Sequence, residues 1–124
     1  KMDYIKIMKT LKEEYEKNHY SVFAIRGDNR PVEAGITLEA SHDWDVENDI
    51  MSEDKLSGTS GVYIDIDFFY DDYLDEIDTL IKAVNFAKEN YAYKNWSVIA
   101  GTNFKYGQDE DEVIIEDAKV VALI

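Results

Sequence analysis

Apolar positions recur along this chain at two different periods. Between residues 3 and 18, Tyr4, Ile5, Met8, Leu11 and Tyr15 fall at helical spacing with Lys and Glu on the other side. The chain is therefore expected to open with an amphipathic helix, which Asn18 can end. Residues 20–26 (YSVFAIR) are β-branched and aromatic on both faces, and Gly27-Asp28-Asn29-Arg30-Pro31, a turn by composition, stops them. That pattern reads as a buried strand. Residues 62–69 (VYIDIDFF) alternate as a half-exposed strand does, with Val62, Ile64, Ile66 and Phe68 on one face. Leu74, Ile77, Leu80, Ile81, Val84, Ala87 and Tyr91 then trace a second helical stripe. Asp71, Asp72 and Asp75 stand near its start, where carboxylates favour the positive end of the helix dipole.

The remaining segments are less periodic. Residues 96–100 (WSVIA) read as a second buried strand, and residues 35–38 as a short one. Residues 39–61 follow neither period and are rich in Asp, Glu, Asn, Ser and Gly, so a long loop is expected there; residues 101–111 read as a polar loop. Residues 113–115 and 118–124 form a closing pair of apolar strands around a Glu116-Asp117 turn. The expected fold class is α+β, with a curved mixed or largely antiparallel sheet of about five strands and two main helices. A length of 124 residues with 45% hydrophobic content suits one domain spanning residues 1–124.

Composition narrows the chemistry. Cysteine is absent, which excludes disulfides, thiolate metal sites and a cysteine nucleophile, and leaves His19 and His42 as the imidazole ligands. No metal is expected. The acidic positions from Asp43 to Asp54 are spaced somewhat like an EF-hand loop, but Asn48 stands where that loop needs glycine, and Asp54 stands where it needs glutamate. Residues 1–18 are too charged for a secretory signal, and no apolar run approaches the roughly 20 residues of a membrane helix, so a cytoplasmic location is expected. Net charge is −14, from 27 acidic against 13 basic residues. Such a surface repels nucleic acid and anionic membranes and suits a basic partner.

Three segments stand in a suggestive order: Phe23-Ala24-Ile25-Arg26-Gly27 at a strand end, Gly58-Thr59-Ser60 before another strand, and Glu110-Asp111-Glu112-Val113-Ile114-Ile115 entering a third. Together they resemble the signature of the arginine-serine-glutamate class of mono-ADP-ribosyltransferases, in which a strand-end Arg, a Ser-Thr-Ser segment and a Glu-x-Glu pair line one NAD cleft. Cleaving a nicotinamide-ribose bond passes through an oxocarbenium-like state that needs a carboxylate beside the ribose. The resemblance implies that Glu112 supplies it and that Glu110 orients the acceptor. It also implies that Arg26 pairs with the pyrophosphate of NAD, that Thr59 and Ser60 support the cleft, and that Phe104 or Tyr106 meets the acceptor.

The charge supports a second reading. Acidic residues gather at Asp43, Asp45, Glu47 and Asp49, again from Asp65 to Asp78, and again from Asp109 to Glu112. Two such groups on one face would imitate the phosphate row of a duplex and occupy a nucleic-acid-binding groove. In size and charge the chain is similar to small phage-encoded anti-CRISPR and anti-restriction inhibitors. That resemblance implies a basic partner protein, no cofactor and action in a host cell's cytoplasm. The expected contacts are Trp44, Asp45, Glu47, Asp49, Asp71, Asp72, Asp109 and Asp111. Trp44, in an acidic irregular segment, either anchors that segment to the core or meets the partner. Charge is a property of the whole sequence, whereas the NAD cleft needs three distant segments to converge. The binding reading therefore ranks first.

Overall fold

A computed structural model describes residues 2–45, 47, 50–52, 61–66 and 77–124. The elements run α1 (Tyr4–Asn18), β1 (Val22–Asp28), β2 (Ala40–Asp45), β3 (Ile50–Met51), β4 (Val62–Asp65), α2 (Ile77–Asn90), β5 (Asn95–Gly101), β6 (Asn103–Tyr106), β7 (Glu112–Glu116) and β8 (Lys119–Leu123). The fold is α+β, and every strand pairing among the described residues is antiparallel. Among the described residues the sheet has eight strands in the order β6-β7-β2-β3-β4-β1-β5-β8, not about five, and it is not closed. Among the described residues no helix is long and apolar enough to cross a membrane.

α1 forms where the periodicity places it. The Asp3 carboxylate accepts from the Lys6 N–H at 3.1 Å as N-cap, and His19 ends the helix in the left-handed region at φ 60°. Ile7, Met8 and Leu11 on α1, with Leu80, Ala83, Val84 and Ala87 on α2, cover Phe23, Ile25, Val62, Ile64, Trp96, Val98 and Ala100 on one face of the sheet. Leu11 and Leu80 are fully buried. Each such side chain contributes about 1.5–3 kcal/mol, so the helices are held mainly by this face.

The other face has its own core. Ala24, Leu38, Ala40, Met51, Tyr63, Ile99, Val113, Ile115, Ala118 and Val120 pack together there, with Trp44 against them. Because apolar side chains stand on both faces of β1 and β5, those strands read as continuous apolar runs rather than alternating ones.

Three extra strands lie in segments whose composition suggests loops. β2 and β3 fall within residues 39–61 and β6 within residues 101–111. β2 does alternate, with Ala40 and His42 buried and Trp44 half-buried, while Asp43 and Asp45 are exposed. Its inward residues include a small one and a histidine, which mutes the hydrophobic signal. All four residues of β6 are exposed, so that strand shows no burial period. Residues 35–38 form no named strand, but Thr37 bridges Lys119, and the N–H groups of Leu38 and Val120 donate to the Ala118 and Ile36 carbonyls at 2.8 and 3.0 Å.

Glu116-Asp117 is a kink and not a reversal. The pairings of Ala100 with Lys119 and of Asn103 with Glu116 continue one register across it. β5 with β6, and β7 with β8, are thus two long bent strands joined by residues 107–111. Asp117 takes a left-handed φ of 50°, Thr102 donates its N–H to the Glu116 carbonyl at 2.9 Å, and its hydroxyl reaches the Asp117 carboxylate at 3.0 Å. A bulge between Val98 and Ile99 bends the ribbon further.

Candidate partner-binding site

Arg26 does not reach an open cleft. It stands on β1 opposite Tyr63 of β4 and Ser97 of β5, and all three are buried. Its Nε donates to the Tyr63 hydroxyl at 3.0 Å and its Nη2 to the Asp28 carboxylate at 2.7 Å, with both ionic side chains out of solvent. Asp28 also accepts from the Arg30 backbone N–H at 2.6 Å. His42 stacks at a tilt on Tyr63, with ring centroids 4.0 Å apart. Charges this deep persist because each carboxylate oxygen and the guanidinium are paired and hydrogen-bonded.

Glu112 lies on the other side of the sheet. Along β7, Val113 and Ile115 point into the core that holds Ala24 and Tyr63, so Glu112 between the turn and Val113 faces the opposite way. Glu110 is exposed in the connection between β6 and β7. The structure thus places Glu110 and Glu112 at one end of β7 and does not bring them to Arg26. Thr59 and Ser60 lie outside the described residues, as do Asp49, Asp71 and Asp72.

The remaining candidates do converge. Asp43 on β2 is the register partner of Glu112 on β7, and the Trp44 N–H donates to the Asp111 carbonyl at 2.6 Å. This pairing sets the run Asp43, Asp45 and Glu47 against the run Asp109, Glu110, Asp111 and Glu112, two segments more than sixty residues apart in the chain. All of these side chains are exposed except Glu112, which is partly so. Like charges directly across a strand pair destabilise it, so the fold carries a local electrostatic cost at this end of the sheet.

Aromatic rings gather on the opposite face of these strands from Asp43 and Glu112, the face that Val113 and Ile115 share. Trp44 meets Tyr106 in a stacked arrangement with centroids 6.3 Å apart and Phe104 edge-on at 6.2 Å, and Phe104 and Tyr106 meet each other at 5.5 Å. Trp44 therefore anchors β2 to the core and also joins a surface cluster. Phe104 is 38% exposed and Tyr106 59%. Both rings were legible as polar-loop aromatics, but their gathering around Trp44 depends on β6, which the sequence pattern hides. The available signal is the two-residue alternation of Asn103, Phe104, Lys105 and Tyr106 before Gly107.

Tyr91, just past the C-terminus of α2, senses Asp45 of the same acidic group. Burial, first, and then the charge of Asp45 and the neighbouring Tyr93 hold its phenol above the ordinary 10.0. A group with a raised folded pKa contributes stability below its unfolded pKa and loses it as pH rises through the folded value. Ionising Tyr91 should therefore destabilise the protein above about pH 10. Tyrosinate absorbance should show the Tyr91 transition, assigned by comparison with Tyr91→Phe, moving down in Asp45→Asn. An unmoved transition would remove Asp45 from the account.

No protein-family model, curated protein or solved structure matches this chain.

Proposed function

We propose that this is a small acidic inhibitor or binding protein that occupies a basic, nucleic-acid-binding surface of a partner protein, in the manner of phage-encoded anti-CRISPR or anti-restriction inhibitors. The observation that carries the reading is the β2–β7 pairing, which joins two distant acidic runs at one end of the sheet, with exposed aromatic rings on the other face of the same edge. A cationic partner would relieve the repulsion between Asp43 and Glu112, and aromatic contacts supply the apolar anchoring that charge alone lacks. Transfer of ADP-ribose from NAD, the alternative, needs Arg26 and Glu112 at one opening. Arg26 is buried against Asp28 and faces away from Glu112, so the binding reading is preferred.

The test is a binding measurement against basic nucleic-acid-binding proteins, with duplex DNA or RNA as competitor. Raising salt from about 0.1 M to 1 M shortens the screening length from about 10 Å to 3 Å, so affinity should fall by about tenfold or more. Replacing Glu110 and Asp111 by lysine should weaken binding in the same direction through the association rate. Affinity that ignores both salt and competing nucleic acid would sink the proposal.

A further inference from the structure

We propose that the open edge of β6 is a docking strand for an extended, arginine-containing segment, which adds to the sheet and lays its guanidinium groups over Phe104 and Tyr106. The inference rests on the binding reading above and names its contact surface and the class of partner segment.

β6 stands at one end of the strand order and, among the described residues, is hydrogen-bonded as a strand only to β7. The hydrogen-bonding phase follows from one bond: Gly107 donates its N–H to the Glu112 carbonyl at 2.8 Å. In an antiparallel ladder, bonded and non-bonded pairs alternate, so Lys105 with Ile114 and Asn103 with Glu116 turn their backbone groups toward β7. The N–H and C=O of Phe104 and Tyr106 then point outward, away from β7. Exposed edges of this kind are templates for strand addition unless something covers them.

Side chains select the occupant. Phe104 and Tyr106 present their rings on one face of β6, and a guanidinium combines cation–π attraction with planar stacking on such rings, which a lysine ammonium does not. The turn that leaves β6 carries Asp109, Glu110 and Asp111, all exposed, so the potential around the edge is negative. Lys105, the one cation on the strand, is held by Glu116 at 2.9 Å, which tempers its repulsion of an incoming arginine. A second copy of this chain is a poor occupant, because two molecules of charge −14 repel each other at close approach.

The experiment uses the unaltered protein and an eight-residue peptide of alternating Arg and Thr. A second peptide has the same sequence with every other backbone nitrogen methylated, which keeps charge and side chains but removes the strand-forming hydrogen bonds. Saturation with the first peptide should slow amide hydrogen exchange at Phe104 and Tyr106 by about tenfold or more, while the Lys105 amide, already bonded to β7, barely changes. The methylated peptide, and the Phe104→Ala/Tyr106→Ala variant with the first peptide, should each bind about tenfold more weakly.

Equal binding of both peptides, or binding without protection of Phe104 and Tyr106, would overturn the edge proposal while leaving the acidic-surface reading standing. The same holds if polylysine binds in a salt-dependent way and the Arg-Thr peptide does not. If neither cationic probe binds, both proposals fall. Protection that rises with protein concentration alone, with a dimer in sedimentation, would assign the edge to a second copy and overturn the proposal.

Discussion

Asp28→Ala is expected to lower stability by about 3–5 kcal/mol, because it removes one partner of a buried ion pair and leaves the other charge in place. Asp28 accepts from Arg26 at 2.7 Å and from the Arg30 backbone at 2.6 Å, and neither Asp28 nor the Arg26 side chain meets solvent. The Tyr63 hydroxyl, which accepts from the Arg26 Nε–H at 3.0 Å, remains, but it is neutral and cannot replace a carboxylate. Removing both charges is a different experiment. In Arg26→Met with Asp28→Leu the desolvation cost of two ions disappears along with their attraction, so the double variant should be much nearer the parent than Asp28→Ala alone. Urea unfolding at neutral pH measures both. A loss below about 1 kcal/mol in Asp28→Ala would mean that the pair behaves like a surface salt bridge, contrary to its burial. A double variant as unstable as the single one would mean that packing rather than charge governs the site.

The same buried pair explains why Arg26 reads ambiguously in the sequence. A strand-end arginine two residues before an aspartate has the same pattern whether the side chain meets a ligand or its own neighbour. Only the placement of Tyr63 and Ser97 on the flanking strands decides it, and that pairing is non-local. The helices were legible because their stripes are local: α1 begins and ends within a residue of the boundaries expected from periodicity. β1, β4, β5, β7 and β8 were legible for a similar reason, as β-branched and aromatic runs.

β2, β3 and β6 were not legible, and the causes differ. β2 spends its inward positions on Ala40, His42 and Trp44, so a real alternation looks polar; β3 has only two residues; β6 is an exposed edge whose strand state is imposed by β7. The candidate site depends on β2 and β6. The acidic residues could be counted from the sequence, but the meeting of Asp43 with Glu112 and of Trp44 with Tyr106 is a property of strand pairing, to which composition is blind. The kink at Asp117 misleads in the same way. An acidic pair between two apolar runs has the composition of a turn, yet the Thr102 hydroxyl and N–H hold the chain in a bend that keeps one register.

Trp96→Ala is expected to cost about 3–5 kcal/mol, and its partner across the strand makes the effect separable. Trp96 on β5 is the register partner of Gly27 on β1 and lies in the helix-covered core, edge-on to Tyr93 at 6.0 Å. Its indole lies so close over Gly27 that a Cβ there would come within 2.6 Å of Cζ3 and 2.7 Å of Cη2. Glycine at 27 is therefore a packing requirement of the indole, with no demand on φ. Gly27→Ala alone should cost about 1–3 kcal/mol, because the ring must tilt out of its place between the strand and Tyr93. In the Trp96→Ala background the clash is gone and Gly27→Ala should be nearly neutral or stabilising, since it also removes the extra freedom of glycine in the unfolded chain. Urea midpoints for the two single variants and the double variant close this cycle, with an expected coupling of about 1–3 kcal/mol. Additive losses would show that Gly27 and Trp96 act independently, and the indole would then not be what holds position 27 to glycine. The cycle also bears on the binding surface, because β5 runs directly into β6. If the tilt of Trp96 is absorbed at the Val98/Ile99 bulge, the Phe104 and Tyr106 edge should keep its peptide affinity in Gly27→Ala despite the lost stability. If the strain passes through to β6, stability and affinity should fall together.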